Sequence, residues 1–309
     1  MRIVLGVDGS EPSRVALRLL SATEWPRPLD VTLVAAHERP IDWTGTLPIV
    51  FNEADEQQVR NELRRMLGDA AAGLRRLGAT VSLEVHLGRP ADVLLEVARR
   101  RSADLLVVGS RGLGAARSAL LGSVSAHLVD HAPCPVLVAR RPTVDRLLFA
   151  TDGSGTAVRA ATILEGWAAF RGVPIDVVSV APSAHRLATA FISPWSLSGD
   201  VRELPDEDPG WEHRAHAERM VAHLGGAGYR CTAVVRSGDA AREICATAAE
   251  LGDDLIVTGS RGLGELRRML AGSIAHGVLL HAGASVLVMR GPVRERHRAQ
   301  ERVEVAIPA

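Results

Sequence analysis

The sequence predicts an α/β fold built twice, as two tandem domains that each hold a five-stranded parallel sheet with helices on both faces. Three observations carry this. The 309-residue chain repeats itself at an offset of 150 residues. Each half alternates short β-rich apolar runs with longer amphipathic ones. The apolar runs are nearly continuous, as in strands covered on both faces.

The repeat is exact at its centre. Gly109-Ser-Arg-Gly-Leu-Gly114 recurs as Gly259-Ser-Arg-Gly-Leu-Gly264. Asp104-Leu-Leu-Val-Val and Asp254-Leu-Ile-Val-Thr precede the two copies, and Gly122-Ser123 and Gly272-Ser273 follow them. The starts of the halves match as well: an apolar run ends in Asp8-Gly9-Ser10 and again in Asp152-Gly153-Ser154. A period this long indicates domain duplication rather than a solenoid. The domains are placed at residues 1–141 and 145–290, with a charged tail at 291–309.

In the first half, residues 2–7 read as a buried strand and Ser13–Thr23 as a helix. Val31–His37 is the second strand. Ala54–Leu77 is a long helix with Val59, Leu63, Met66, Ala70, Leu74 and Leu77 on one stripe. Thr80–His86 follows as a strand, Ala91–Arg101 as a helix and Leu105–Val108 as the fourth strand. Residues 116–131 read as a helix and Val136–Ala139 as the fifth strand. The second half keeps this order, with strands near 147–151, 175–181, 231–236, 255–258 and 285–289. Its helices are expected near 156–170, 211–224, 240–250 and 265–281. Two inserts, 39–53 and 182–210, are either functional lids or mobile segments.

Acidic and basic residues number 36 each, and every basic residue is arginine. Without lysine, a Walker A loop and a pyridoxal Schiff base are excluded. The balanced charge gives no general reason to bind nucleic acid or an anionic membrane. Three scattered cysteines, Cys134, Cys231 and Cys245, make no metal or disulfide pattern, and no apolar run is long enough for a membrane span. A cytoplasmic location is expected.

The repeated motif is Gly109-x2-Gly112-x9-Gly122-Ser123, and again Gly259-x2-Gly262-x9-Gly272-Ser273. It lacks the third glycine of the dinucleotide fingerprint, so a hydride-transferring dehydrogenase loses its main support. Its chemistry suits phosphate capture by main chain. Glycine allows close approach, and a helix start supplies free amides. Arg111 and Arg261 could add charge. The alternative is that these glycines only shape strand-to-helix turns.

This pattern, with an opening strand that ends in Asp-Gly-Ser, resembles the universal stress protein family, and the resemblance covers both halves. It implies Rossmann-like domains with strand order 3-2-1-4-5. It also implies the family's ATP-binding subgroup, with Mg²⁺ accompanying the nucleotide. Asp8 and Asp152 would then hold the adenosine part, and the backbone at Ala36 and Val180 would meet adenine. Gly109, Gly112, Gly259 and Gly262 would line the ribose and first phosphates. Gly122, Ser123, Val124 and Ser125, with Gly272, Ser273 and Ile274, would hold the distal phosphates. Ala275 stands where the first half has Ser125, so weaker phosphate or metal contact is expected there. The resemblance further implies that the fifth strands pair, making the halves an intramolecular pseudo-dimer. A homodimer of whole chains stays open.

The remaining candidates are weaker. His127 and His131 have metal-ligand spacing but read as structural, and His213, His216 and His223 read as a solvated helix face. No nucleophile elbow or catalytic residue stands out. The expected function is an ATP-binding regulator in stress response or growth control, acting on an unidentified protein partner. A slow ATP hydrolase or nucleotidyl-transfer enzyme, and a nucleotide-free interaction scaffold, are the alternatives.

Overall fold

The computed structural model describes residues 1–38, 53–110, 122–182, 210–260 and 272–290. The inserts, the tail, Arg111, Gly112, Arg261 and Gly262 lie outside them. The first half runs β1 (Arg2–Gly6), α1 (Glu11–Ala22), β2 (Asp30–His37), α2 (Glu53–Arg76), β3 (Thr80–Leu87), α3 (Pro90–Arg100), β4 (Leu105–Gly109), α4 (Ser123–His131) and β5 (Val136–Ala139). The second runs β6 (Leu147–Ala150), α5 (Gly155–Trp167), β7 (Ile175–Ala181), α6 (Trp211–Gly226), β8 (Cys231–Ser237), α7 (Ala240–Leu251), β9 (Leu255–Gly259), α8 (Ser273–His281) and β10 (Ser285–Met289).

All ten strands form one sheet in the order β3-β2-β1-β4-β5-β10-β9-β6-β7-β8. Within each half every pairing is parallel. The halves meet where β5 and β10 pair antiparallel, with Leu137 opposite Leu287. The expected strand edges thus cover one another and become the middle of the sheet.

Alternation along the strands divides the core in two. Ile3, Leu5, Leu105, Val107 and Leu137 face α1, α2, α5 and α6. Val4, Leu106, Val108, Val136 and Val138 face α3, α4, α7 and α8. Both apolar layers continue across the β5–β10 seam. Trp25, after α1, meets Trp167 and Phe170 of the second half edge to face, with ring centroids 6.2 and 5.9 Å apart. Such pairs add to the stability that area burial alone provides.

A pair of arginines ties the seam at the other face. Arg140 Nη2 donates to the Leu279 carbonyl in α8 at 2.5 Å. Arg290 Nη1 donates to the Val129 carbonyl in α4. Each guanidinium therefore serves the last turn of the other half's helix, where a cation offsets the exposed carbonyls.

Three helix boundaries differ from expectation. The helices expected at 116–131 and 265–281 are interrupted at Gly122 and Gly272, extended N-caps with ψ of 148° and 156° from which α4 and α8 start; residues 116–121 and 265–271 lie outside the described residues. The helix expected to end at 170 stops at Trp167, where Ala168 turns left-handed at φ 51°.

Candidate functional site

The carboxyl edge of each half-sheet brings the motif pieces together. β1 leaves the sheet beside β4, while β2 lies on its other side. This reversal of direction opens a crevice at the strand ends, the usual ligand position in such sheets. Asp8 follows β1 and Gly109 ends β4, so they flank it. β2 outlasts β1: Gly6 pairs with Val34, and Ala36 pairs onward with His86 of β3. The second half repeats this, with Ala150 on Val178 and Val180 on Arg236.

The aspartates are built into turns. Asp8 Oδ1 accepts the Ser10 amide at 3.0 Å and the Ser10 hydroxyl at 2.6 Å. Ser10 Oγ in turn caps α1 by accepting the Ser13 amide. Asp152 Oδ1 accepts the Ser154 amide at 3.0 Å, and Ser154 Oγ caps α5 through Ala157. Between aspartate and serine, Gly9 and Gly153 take positive φ of 79° and 74°. Only glycine takes that conformation without strain.

Gly109 has a packing reason of its own. A Cβ there would lie 2.5 Å from the Pro12 carbonyl carbon, so bare backbone is what lets α1 start above β4. Beyond it, the Gly122 amide donates to the Ser110 carbonyl at 2.9 Å, and the Gly272 amide to Ser260 at 2.6 Å. These bonds close both glycine loops at their base. Ser110 and Ser260 are themselves anchored to Ala139 and Met289 at the ends of β5 and β10.

α4 and α8 then open on Gly-Ser with no side-chain cap. The first bonds within each helix run from Ala126 to the Gly122 carbonyl and from His276 to Gly272, both 3.1 Å. The amides of Ser123, Val124 and Ser125, and of Ser273, Ile274 and Ala275, come before those bonds. Ser123, Ser273 and Ile274 are exposed, while Ser125 and Ala275 are each 2% exposed. The Ser125 hydroxyl points into the fold and donates to the Gly109 carbonyl at 2.9 Å. Its proton serves the β4–α4 junction, a bond that Ala275 cannot make in the second half.

His213 and His216 do not form the solvated face expected of them. The His216 side chain is 11% exposed and covers Gly153, where a Cβ would lie 2.3 Å from its ring. The first half puts Met66 at the same place over Gly9. His213 Nδ1 lies 3.1 Å from the Ser179 hydroxyl. Burial, and then the neighbouring His216, push the His213 pKa below the ordinary imidazole range. The signal was present: these histidines fall three residues apart on the stripe where α2 carries Leu63 and Met66. Among the described residues, no group of three acidic, histidine or cysteine side chains could hold a metal, and no helix is long and apolar enough to cross a membrane.

Comparison with known proteins agrees with this architecture. A universal stress protein of Mycobacterium tuberculosis is 28% identical over 301 residues, covering 93% of this chain and 96% of that one. A universal stress protein of Thermus aquaticus is 38% identical over 136 residues, covering 44% of this chain and 95% of its own. Among solved structures, a universal stress protein from Archaeoglobus fulgidus superposes with a TM-score of 0.66 at 19% identity, covering 94% of this chain and 98% of that one. The model of the universal stress protein family matches twice, at residues 1–140 and 143–290. The chain belongs to the universal stress protein family, with two domains in tandem.

Proposed function

We propose that the chain binds ATP in two sites, one per half, and acts in the cytoplasm as a nucleotide-dependent regulator in stress response or growth control. The carrying observation is the uncapped Gly-Ser start of α4 and α8, held by the Ser110–Gly122 and Ser260–Gly272 bonds across the crevice from Asp8 and Asp152. Three leading amides and a serine hydroxyl offer a triphosphate donors without any lysine, and the helix dipole favours its charge. Ser123 and Ser273 would supply the hydroxyls, so both sites have the same distal donors. Asp8 and Asp152, held by their turns, would accept from the adenosine part, with Ala36 and Val180 beside the base. Mg²⁺ would arrive with the nucleotide and shield the charge on its phosphates. Occupancy would bias the conformation that an unidentified protein partner reads.

The test is acid extraction of the purified chain with identification of released nucleotide, followed by calorimetry with ATP and Mg²⁺. Two sites per chain, both lost in Asp8→Ala with Asp152→Ala, support the reading. Absence of bound nucleotide together with absence of binding refutes it. Steady release of ADP would replace the regulator by a hydrolase.

A further inference from the structure

The end of each fifth strand is tied to both halves at once. Gly109 ends β4 beside Ala139 of β5, and the Ser110 amide donates to the Ala139 carbonyl at 3.2 Å. The next residue, Arg140, sends its guanidinium across the seam to the Leu279 carbonyl in the last turn of α8. The second half mirrors this. Met289 lies beside Gly259 and accepts the Ser260 amide at 2.9 Å, and Arg290 reaches the Val129 carbonyl in the last turn of α4.

Both arms are built for the contact. The Val129 carbonyl lacks the usual helical donor four residues on, because that residue is Pro133, which has no amide hydrogen. The Arg290 guanidinium takes its place. On the other arm the Ser285 hydroxyl, on a residue with no exposed surface, accepts the amides of Arg140 at 3.1 Å and Arg141 at 3.0 Å. The end of β5 is therefore fixed to the start of β10 through its backbone as well as through its side chain.

α4 and α8 have nine residues each. The first turn of each carries the free amides of one site. The last turn rests on an arginine that follows directly on the loop base of the other site. An anion at the first turn and a cation at the last act on one helix dipole in the same sense, so each favours the ordered helix. A phosphate on α4 would thus strengthen the hold of Arg290, and with it the placement of Met289, Ser260 and Gly272 at the base of the second loop. A phosphate on α8 would do the same through Arg140 for Ala139, Ser110 and Gly122. A site whose base is already held needs less ordering when its own ligand arrives.

We propose that Arg140 and Arg290 are positioning residues that couple the two nucleotide sites, so that ATP bound in one half raises the affinity of the other. This inference rests on the nucleotide reading above and concerns the regulation of its sites.

Calorimetry of the full chain with ATP and Mg²⁺ tests it. Asp8→Ala leaves the second site to be measured with the first one empty, and Asp152→Ala does the converse. Independent sites would make the parent curve the sum of these two. The expected parent curve instead shows the second ATP binding at least about fivefold more tightly than that sum, the lower end of the usual coupling between sites. In a chain with Arg140→Met and Arg290→Met the curves are expected to add up. Either substitution alone should already weaken the coupling, which keeps the test open if the double variant does not fold. A merely structural pair of arginines would lower the melting temperature and leave the coupling as it was. A parent curve equal to the sum, a second ATP that binds more weakly, or coupling that survives without the arginines overturns this inference while the nucleotide reading stands. A parent chain that binds no ATP overturns both.

Discussion

Replacing Asp253 by asparagine is expected to make the chain more stable, by a margin that grows as pH rises through the acidic range and levels off above neutral. Asp253 sits between α7 and β9 with a fully buried side chain, and neither carboxyl oxygen has a hydrogen-bond partner among the described residues. Its nearest cation, Arg146, lies 4.0 Å away and is already bound to Asp176 at 2.5 Å. Burial, then repulsion by Asp176, push the Asp253 carboxyl up from its ordinary 3.8 to about 7, against a smaller pull from Arg146. The folded chain therefore holds this proton more tightly than the unfolded chain. Stability is greatest below the unfolded value, falls as pH rises through the window from 3.8 to about 7, and is lowest above it. At 1.36 kcal/mol per pKa unit, the full penalty is about 4 kcal/mol. Asparagine keeps the shape and carries no charge, so the gain over the parent should approach that figure near pH 8.5 and largely vanish near pH 4. Urea midpoints of parent and variant across that range measure it. A difference that stays flat with pH would refute the reasoning. The first half has Thr32 and Ala103 at the matching places, so this liability belongs to the second half alone.

Three further outcomes follow from contacts described above. Gly109→Ala should destabilise by about 1–3 kcal/mol in urea denaturation, because its Cβ meets Pro12 backbone that cannot swing aside. Removing one seam guanidinium, as Arg140→Met or Arg290→Met, should cost about 1.5–3 kcal/mol in the same assay, the range for hydrogen bonds to charged groups. Burial raises the thiol of Cys134 to about 12 and those of Cys231 and Cys245 to about 11. All three should therefore resist a thiol reagent at about pH 8 until the chain is unfolded, and fast labelling of the native protein would contradict this.

Much of the fold was legible because it rests on local signals. Apolar runs such as Leu105–Val108 and Val136–Ala139 are strands in the structure, and the Asp-Gly-Ser turns lie just beyond the carboxyl ends of β1 and β6. The boundaries before Ser123 and Ser273 were not legible. The apolar pattern of 116–131 and 265–281 continues through a glycine whose backbone is extended, and periodicity does not report a cap. The role of Ser125 also escaped, because its partner, the Gly109 carbonyl, is a main-chain atom distant in sequence. The same holds for His216 and Gly153, and for the Asp176–Arg146–Asp253 cluster, whose members are brought together only by strand register. Charge and spacing along the chain carry no record of which side chains share a buried corner.

The antiparallel pairing of β5 with β10 sets a stoichiometry. An association between separate chains depends on their concentration and permits exchange of subunits. Here the two partners are joined through residues 140–146, so the join persists at any dilution and always unites one copy of each kind. The halves are free to diverge, since neither ever meets its own duplicate across that seam. His37 with Ala181, and Met66 with His216, are differences that such a permanent heterodimer can keep.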